Sequence, residues 1–150
     1  MKILFVHQNF PGQFKNLAPT LAARPDTEVV AMCMHEHPLP APLRIVRYKA
    51  ARGTSQQIHP WVADFETKTI RGEAAYRAAL ALRAEGFDPD VIVARPGWGE
   101  SLFLKTVWPR ARLGIYCEFF YAAEGRDVGF DPEFELADAS NPCRMMLKNV

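Results

Sequence analysis

Short apolar segments alternate along the chain with amphipathic ones. Five of them, rich in Val, Ile, Leu and Phe, predict buried β-strands: residues 2–7, 27–33, 43–48, 91–94 and 112–117. Between them, apolar residues at helical spacing predict three helices: residues 14–22, 59–85 and 100–108. Gly72 is expected to kink the second helix, and Gly86 to end it. This order predicts an α/β fold, a Rossmann-like doubly wound parallel sheet with right-handed crossovers.

The pattern weakens after residue 118. Asn141 and Pro142 are predicted to open a last helix, with Asn141 as its N-cap. That helix would still be running at Val150, so we expect residues 1–150 to form one domain that is truncated within its last helix. Truncation would expose the apolar residues at 145–147, and such a surface favours a homodimer.

Charge and hydropathy narrow the function classes. The chain has 18 Lys and Arg against 17 Asp and Glu, a net charge of +1. A nucleic-acid partner is therefore not expected, because nucleic-acid binders usually carry a basic excess. No apolar run has the roughly 20 residues that a membrane span needs, and the N-terminus does not have the pattern of a signal peptide. These features predict a cytoplasmic protein.

Two glycine-containing turns are the strongest functional signal. In an open parallel sheet, ligands bind beyond the carboxyl ends of the strands, at the point where connections leave to opposite faces. With the usual strand order 3-2-1-4-5, that point lies between the first and fourth strands, which are followed by the turns Phe10-Pro11-Gly12 and Pro96-Gly97-Trp98-Gly99. Each turn is predicted to open a helix whose free amides suit phosphates or sugar hydroxyls. A glycine between a strand and a helix is also common for the turn alone.

Four side chains are expected near the same edge, each with two interpretations. His7 is either a structural residue or faces a ligand. Arg95 either holds an anion or pairs with Glu100 to pin the turn. Glu118 is either an acid–base group with a raised pKa or a salt-bridged carboxylate. Trp98 is either a platform for a sugar or a residue packed under the neighbouring helix.

A metal site is not expected. His35 and His37 flank Glu36, but this spacing is not the i, i+4 pair of a helical zinc site. The prolines nearby predict a mobile loop there.

Five sequence blocks closely resemble the N-terminal domain of a bacterial subset of family 4 glycosyltransferases. The blocks span nearly the whole chain: residues 2–14, 59–60, 86–93, 96–104 and 118–134, the last including Glu118-Phe-Phe-Tyr121 and Asp127-Val-Gly-Phe-Asp-Pro-Glu133. The Pro-Gly-Trp-Gly-Glu sequence at 96–100 and the Asp-Val-Gly-Phe-Asp-Pro-Glu sequence are the most specific. Together they make a chance match improbable.

The resemblance implies one half of a GT-B enzyme, a retaining glycosyltransferase with two Rossmann-like domains and no required metal or other cofactor. It moves a sugar from a nucleotide-sugar donor, UDP- or GDP-linked, to a glycan or lipid-linked acceptor, as in polysaccharide biosynthesis, and its place is cytoplasmic or peripheral at the inner face of the membrane. The donor-binding C-terminal domain, absent from residues 1–150, would be a partner of this acceptor-side domain, which alone would be inactive. The turn Pro11-Gly12-Gln13 would approach the donor phosphates, and the loop from Pro96 to Glu100 would line the acceptor side.

The expected site follows from these two lines of reasoning. The catalytic candidates are Arg95 and Glu118. The substrate-binding candidates are His7, Pro11, Gly12, Gln13, Gly97, Trp98, Gly99 and Glu100, to which the resemblance adds His59 and Tyr121. The family usually has a His before Pro-Gly-Trp-Gly, where this chain has Arg95, so Arg95 either substitutes with a fixed charge or marks an altered acceptor.

Two alternative functions stay open on the sequence. One is a non-catalytic Rossmann-like binding or scaffold module. The other is half of a sugar-nucleotide epimerase, which shares the GT-B fold and which one half of the sequence does not distinguish from a transferase.

Overall fold

Seven strands form the sheets in the part of the chain that the structure describes. The computed structural model describes residues 1–38, 43–117, 122, 133 and 140–149. The strands are β1 (Lys2–Val6), β2 (Asn9–Phe10), β3 (Glu28–Cys33), β4 (His35–Glu36), β5 (Arg44–Arg47), β6 (Val91–Ala94) and β7 (Arg112–Ile115). The five predicted strands are all present, each within two residues of its predicted ends.

The main sheet has the order β5-β3-β1-β6-β7, and all neighbouring strands are parallel. Counting only the five strands of this sheet, the order is 3-2-1-4-5, as expected for a doubly wound fold. The central strands β1 and β3 are almost entirely buried, because both of their faces are covered. The predicted fold class, a Rossmann-like α/β sheet, is confirmed.

The sheet separates two apolar clusters. On one face, Ile3 and Phe5 of β1 pack with Phe10, Phe14 and Ala18. On the other face, Leu4 and Val6 belong to a larger cluster, together with side chains from the two helices that cross this face. Alternate residues of β1 therefore point to opposite layers, and the connection after β1 covers a different face from the connection after β6.

The helices are α1 (Leu17–Ala22), α2 (Ala63–Ala84), α3 (Leu104–Val107) and α4 (Asn141–Lys148). Helix α2 runs through Gly72 without interruption, so a kink there stays a prediction. The chain leaves α2 at Gly86, as predicted: Gly86 N–H donates to Arg83 O and Phe87 N–H to Leu82 O. Among the described residues, no helix is both long and apolar enough to cross a bilayer.

Two predicted helix starts are wrong. The helix expected from Glu100 begins at Leu104, because residues 99–103 follow tighter turns in which Leu102 N–H donates to Gly99 O. Helix α4 has Ser140 rather than Asn141 as its N-cap, which places Pro142 within its first turn. It packs against the start of α2. Met146 is 75% exposed, whereas Met145 and Leu147 are half-buried; the homodimer stays a prediction.

A short second sheet extends β1 and β3. Strands β2 and β4 pair in parallel, with Asn9 opposite His35. The Gln8 carbonyl accepts hydrogen bonds from the amides of Met34 and His35. The segment around His35 that was predicted to be a loop is therefore partly a strand. It is hydrogen-bonded to the segment that follows β1.

Candidate functional site

The carboxyl edge of the sheet brings together side chains from four strands. Backbone hydrogen bonds continue the parallel register just beyond the strand ends: His7 N to Met32 O (3.1 Å), Arg95 N to Val6 O (3.2 Å), Tyr48 N to Cys33 O (3.0 Å) and Tyr116 N to Ala94 O (2.9 Å). Since β1 and β6 are neighbours, the two glycine turns lie at the same edge, as the sequence predicted. Their connections leave to opposite faces, so this is the topological switch point of the sheet.

The first turn, residues 9–13, is held together by His7. The Asn9 amide donates to His7 Nδ1 (3.0 Å), and His7 Nε2 lies 2.7 Å from Gln13 Oε1. With Nδ1 accepting, Nε2 carries the proton and donates to Gln13, the arrangement of a neutral imidazole. The ring is 5% exposed and packs edge-on against Phe14. These contacts fix the turn, and a role of His7 toward a ligand stays a prediction.

Gly12 allows the turn to close over His7. Its φ is +47°, and a Cβ built at this position would lie 2.5 Å from the His7 ring. Gly12 and Gln13 are exposed, while Pro11 is buried. The helix expected to start here is a single 3₁₀ turn, Gly12–Phe14, and α1 begins only at Leu17. The predicted helix N-terminus at Gly12 is therefore not formed.

The backbone of the second turn, residues 96–99, packs directly against the backbone of α2. Gly99 has a φ of +101°, and a Cβ there would lie 2.1 Å from the Lys68 carbonyl oxygen. A Cβ at Gly72 would lie 2.7 Å from the Gly99 carbonyl oxygen. Two glycines thus let the turn and the helix approach more closely than any side chain would permit.

Trp98, which belongs to this turn, lies next to two guanidinium groups. The Cζ atoms of Arg71 and Arg95 are 5.0 and 5.7 Å from the centre of its ring, within the range of cation–π attraction. Trp98 is 39% exposed and its ring faces both arginines; its role toward a sugar stays a prediction. Arg95 also interacts electrostatically with the Glu100 carboxyl, and whether it holds an anion or pins the turn stays a prediction.

Glu100 and Tyr48 place polar groups inside the core beside the second turn. Glu100 is 2% exposed and Tyr48 is 7% exposed. Neither Glu100 Oε1 nor the Tyr48 hydroxyl has a hydrogen-bond partner among the described residues, although the two side chains lie close enough to interact electrostatically. Burial raises the pKa of Glu100, although the nearby Arg71 and Arg95 act in the opposite direction. Burial and the neighbouring Glu100 carboxyl likewise raise the pKa of Tyr48.

The structure groups most of the predicted site residues that it describes, but not His59. His59 is exposed and its contacts are local: Trp61 N–H donates to its Nδ1, and the two rings meet edge-on. Glu118 and Tyr121 lie outside the described residues. The sequence did not single out Arg71 or Tyr48, because Arg71 is one of several arginines on α2 and Tyr48 ends an apolar segment.

Comparisons with known proteins identify the family. A model of the glycosyl transferase family 4 group matches residues 25–150. The matched range includes Tyr48, Arg71 and the second turn, whereas β1 and the first turn precede it. A search among curated proteins gave no significant match. Because the family model covers most of the chain and the sheet has the Rossmann-like topology of a GT-B half, the chain belongs to the glycosyl transferase family 4 group.

Proposed function

We propose that this domain is the acceptor-side half of a retaining glycosyltransferase, which moves a sugar from a UDP- or GDP-linked donor to a glycan or lipid-linked acceptor. Family membership supports the transferase class. The location of the site is inferred from one observation: the two glycine turns are adjacent, at the ends of β1 and β6. In open parallel sheets, ligands bind where two connections diverge in this way.

The first turn is assigned to the donor. Its exposed residues, Gly12 and Gln13, present backbone to the solvent, and Gly12 has no side chain that would hold a phosphate away. The His7–Gln13 hydrogen bond fixes this backbone before a donor arrives. Fixed geometry of this kind lowers the barrier by orientation, because less freedom is lost when the reacting groups meet.

The second turn is assigned to the acceptor. Trp98 is partly exposed there, and Arg95 supplies a fixed charge beside it. Arg95 stabilises negative charge that develops during transfer, and Glu118 acts as an acid–base group in the same proposal. In this proposal a second, donor-binding domain completes the enzyme. No metal is needed in this scheme.

Calorimetry with UDP-glucose and GDP-mannose tests whether the donor is bound mainly by a second domain. We expect the 150-residue chain to bind both weakly, with dissociation constants in the millimolar range or above, and to release no nucleoside diphosphate. Tight binding by this chain would contradict the assignment of the donor to a second domain.

Product analysis tests the reaction itself. In the presence of a donor-binding domain, the expected product is a new glycosidic bond with the configuration of the donor sugar, which NMR couplings of the anomeric proton report. Release of a free sugar with one inverted centre would indicate an epimerase instead. An unchanged donor would favour a binding module.

A further inference from the structure

Arg71 belongs to α2, the helix that packs against the second turn, and it lies beside that turn. Its neighbour Gly72 contacts the Gly99 carbonyl, so the position of Arg71 relative to Trp98 is fixed by backbone packing. Its side chain is half-buried, with Cζ 5.0 Å from the centre of the Trp98 ring. The geometry of the helix therefore directs a guanidinium group to the carboxyl edge of the sheet.

The guanidinium group of Arg71 makes no hydrogen bond or ion pair with the described residues. Arg77, almost two turns later on α2, provides the contrast: it donates to Glu73 Oε1 through both Nε (3.0 Å) and Nη2 (2.7 Å). Arg52 likewise pairs with Glu66. Arg71 thus holds five N–H donors in a fork that fits a carboxylate or a phosphate, and it keeps them beside an aromatic ring.

The surroundings of Arg71 favour an anion. A second guanidinium, that of Arg95, approaches the same ring of Trp98. The acid that interacts electrostatically with Arg71 is Glu100, whose carboxyl is 2% exposed and has a pKa raised by that burial, so it is a poor counter-charge for the Arg71 guanidinium. Positive charge beside a partly exposed ring, at the edge where the acceptor is proposed to lie, selects a ligand that combines a sugar with an acidic group.

We propose that Arg71 and Arg95 hold a carboxylate or phosphate group of an acidic acceptor glycan, with its sugar ring against Trp98. This inference rests on the proposed function and names the chemical class of its acceptor. The donor diphosphate is the other phosphate source. It is disfavoured because Arg71 and Trp98 sit on the face that α2 covers, whereas the first turn, assigned to the donor, packs on the opposite face.

NMR titration of the isotope-labelled chain tests the proposal directly. The signals to follow are the Arg71 Nε–H and the Trp98 indole N–H. The ligands are glucuronate, glucose 6-phosphate, glucose and UDP. Glucuronate and glucose differ in a carboxylate alone, and glucose 6-phosphate distinguishes a phosphate from a carboxylate. We expect at least one acidic sugar to bind about tenfold or more tightly than glucose, the range of a charge-assisted hydrogen-bond pair.

Three variants make the result specific. Arg71→Met should abolish the preference for the acidic sugar, and Arg71→Lys should keep part of it because the charge remains without the fork. Arg77→Met, on the same helix but in a surface pair, should leave the preference unchanged. Each variant is first compared with the wild type by thermal unfolding. If Arg71→Met unfolds, the wild-type chain at 50 and 500 mM NaCl provides the second measurement, in which acidic-sugar binding weakens and glucose binding does not.

Several results would overturn the inference. The first is equal binding of glucose and both acidic sugars, and the second is a preference for the acidic sugar that survives in Arg71→Met. The third is an absence of chemical-shift changes at Arg71 and Trp98. The fourth is tighter binding of UDP than of either acidic sugar, measured at these signals. Binding of glucose without an acid preference would end this inference while leaving the acceptor assignment intact. Failure of the product analysis would instead remove the proposed function.

Discussion

The two glycine turns at the carboxyl edge of the sheet differ in how their polar groups are satisfied. The turn after β1 is closed by its own side chains, since both nitrogens of the His7 ring are used by Asn9 and Gln13. The turn after β6 rests on another element, α2, and the Glu100 and Tyr48 oxygens next to it are buried without a hydrogen-bond partner among the described residues. Gln8 Oε1 is the one such atom near the first turn.

This contrast indicates two kinds of site. A buried polar atom without a partner costs about 1–3 kcal/mol, and such atoms in a native protein tend to mark functional positions. The first turn has one such atom, Gln8 Oε1, and the second turn has two, Glu100 Oε1 and the Tyr48 hydroxyl. The second turn also lies beside Arg71, whose guanidinium group makes no hydrogen bond or ion pair with the described residues. Substitutions at the glycines of both turns test how far the two turns differ.

The largest effect is expected at Gly99. In Gly99→Ala, the new Cβ would meet the Lys68 backbone at 2.1 Å in a conformation with φ of +101°. The turn must then leave α2, and we expect the free energy of unfolding in urea to fall by about 3 kcal/mol or more. Gly97→Ala is the matched control: φ is +96° but nothing lies within 4 Å of the Cβ, so the loss should be about 1–2 kcal/mol. Equal losses would show that the contact with α2 is unimportant.

A smaller effect is expected at Gly12. The Cβ of Gly12→Ala would lie 2.5 Å from the His7 ring, which is buried and cannot simply swing away. We expect a loss of about 2 kcal/mol in urea and a shift of the His7 ring signals, as the His7–Gln13 bond is displaced. Gly53→Ala, where a Cβ meets nothing within 4 Å, should stay within about 0.5 kcal/mol of the wild type. An unperturbed His7 in Gly12→Ala would mean that the first turn is not closed by this residue.

Replacing Gly72 by Ala is expected to destabilise the protein, which is the opposite of the usual effect of this substitution in a helix. In an exposed helix, replacing Gly by Ala stabilises by about 1 kcal/mol. In Gly72→Ala, the Cβ would press on the Gly99 carbonyl at 2.7 Å and on Phe103 at 3.0 Å, so a net loss of about 1 kcal/mol is expected in urea. The Trp98 indole signal should move as well. A more stable variant would show that α2 and the second turn are not held at this distance.

The weakest effect is a pH dependence from Glu100. Because its pKa is raised by burial, the folded protein binds this proton more tightly than the unfolded chain. Its contribution is complete below the ordinary glutamate value of 4.5 and is lost as the pH rises through the folded pKa. In Glu100→Gln, this loss of stability with rising pH should disappear, whereas the exposed Glu73→Gln should keep the wild-type slope. Parallel stability curves for Glu100→Gln and the wild type, measured in urea from pH 4 to pH 8, would contradict the burial of a strained carboxyl.

Much of the fold follows from local pattern, since apolar runs bounded by turns place all five strands of the main sheet and β6 is predicted to the residue. The pairing of β2 with β4 was not predicted, because two-residue strands carry no periodicity and depend on hydrogen bonds to Gln8 from a distant segment. The start of the helix expected from Glu100 to Trp108 was placed too early, since α3 begins at Leu104. Its first turn is set by contact with α2 and not by its own spacing.

The site was predicted in part. Both glycine turns and their common edge were expected, because parallel strands bring their carboxyl ends to one side. Arg71 was missed because a half-buried arginine and a solvent-facing one look the same in sequence. Only the packing of Gly72 on Gly99 shows which face of α2 meets the turn. The roles assigned to the site residues stay predictions.

The close contact between α2 and the second turn also restricts how this sequence can vary. Each residue added to an α-helix rotates everything beyond it by about 100°. Lys68, Arg71 and Gly72 must all face the turn from one stretch of helix. One insertion between Lys68 and Gly72 would turn the guanidinium group away from Trp98 and bring a side chain where the glycine had been. The spacing of residues in this part of α2 is therefore fixed, because no residue can be added or removed between Lys68 and Gly72 without moving Arg71 or Gly72 away from the turn.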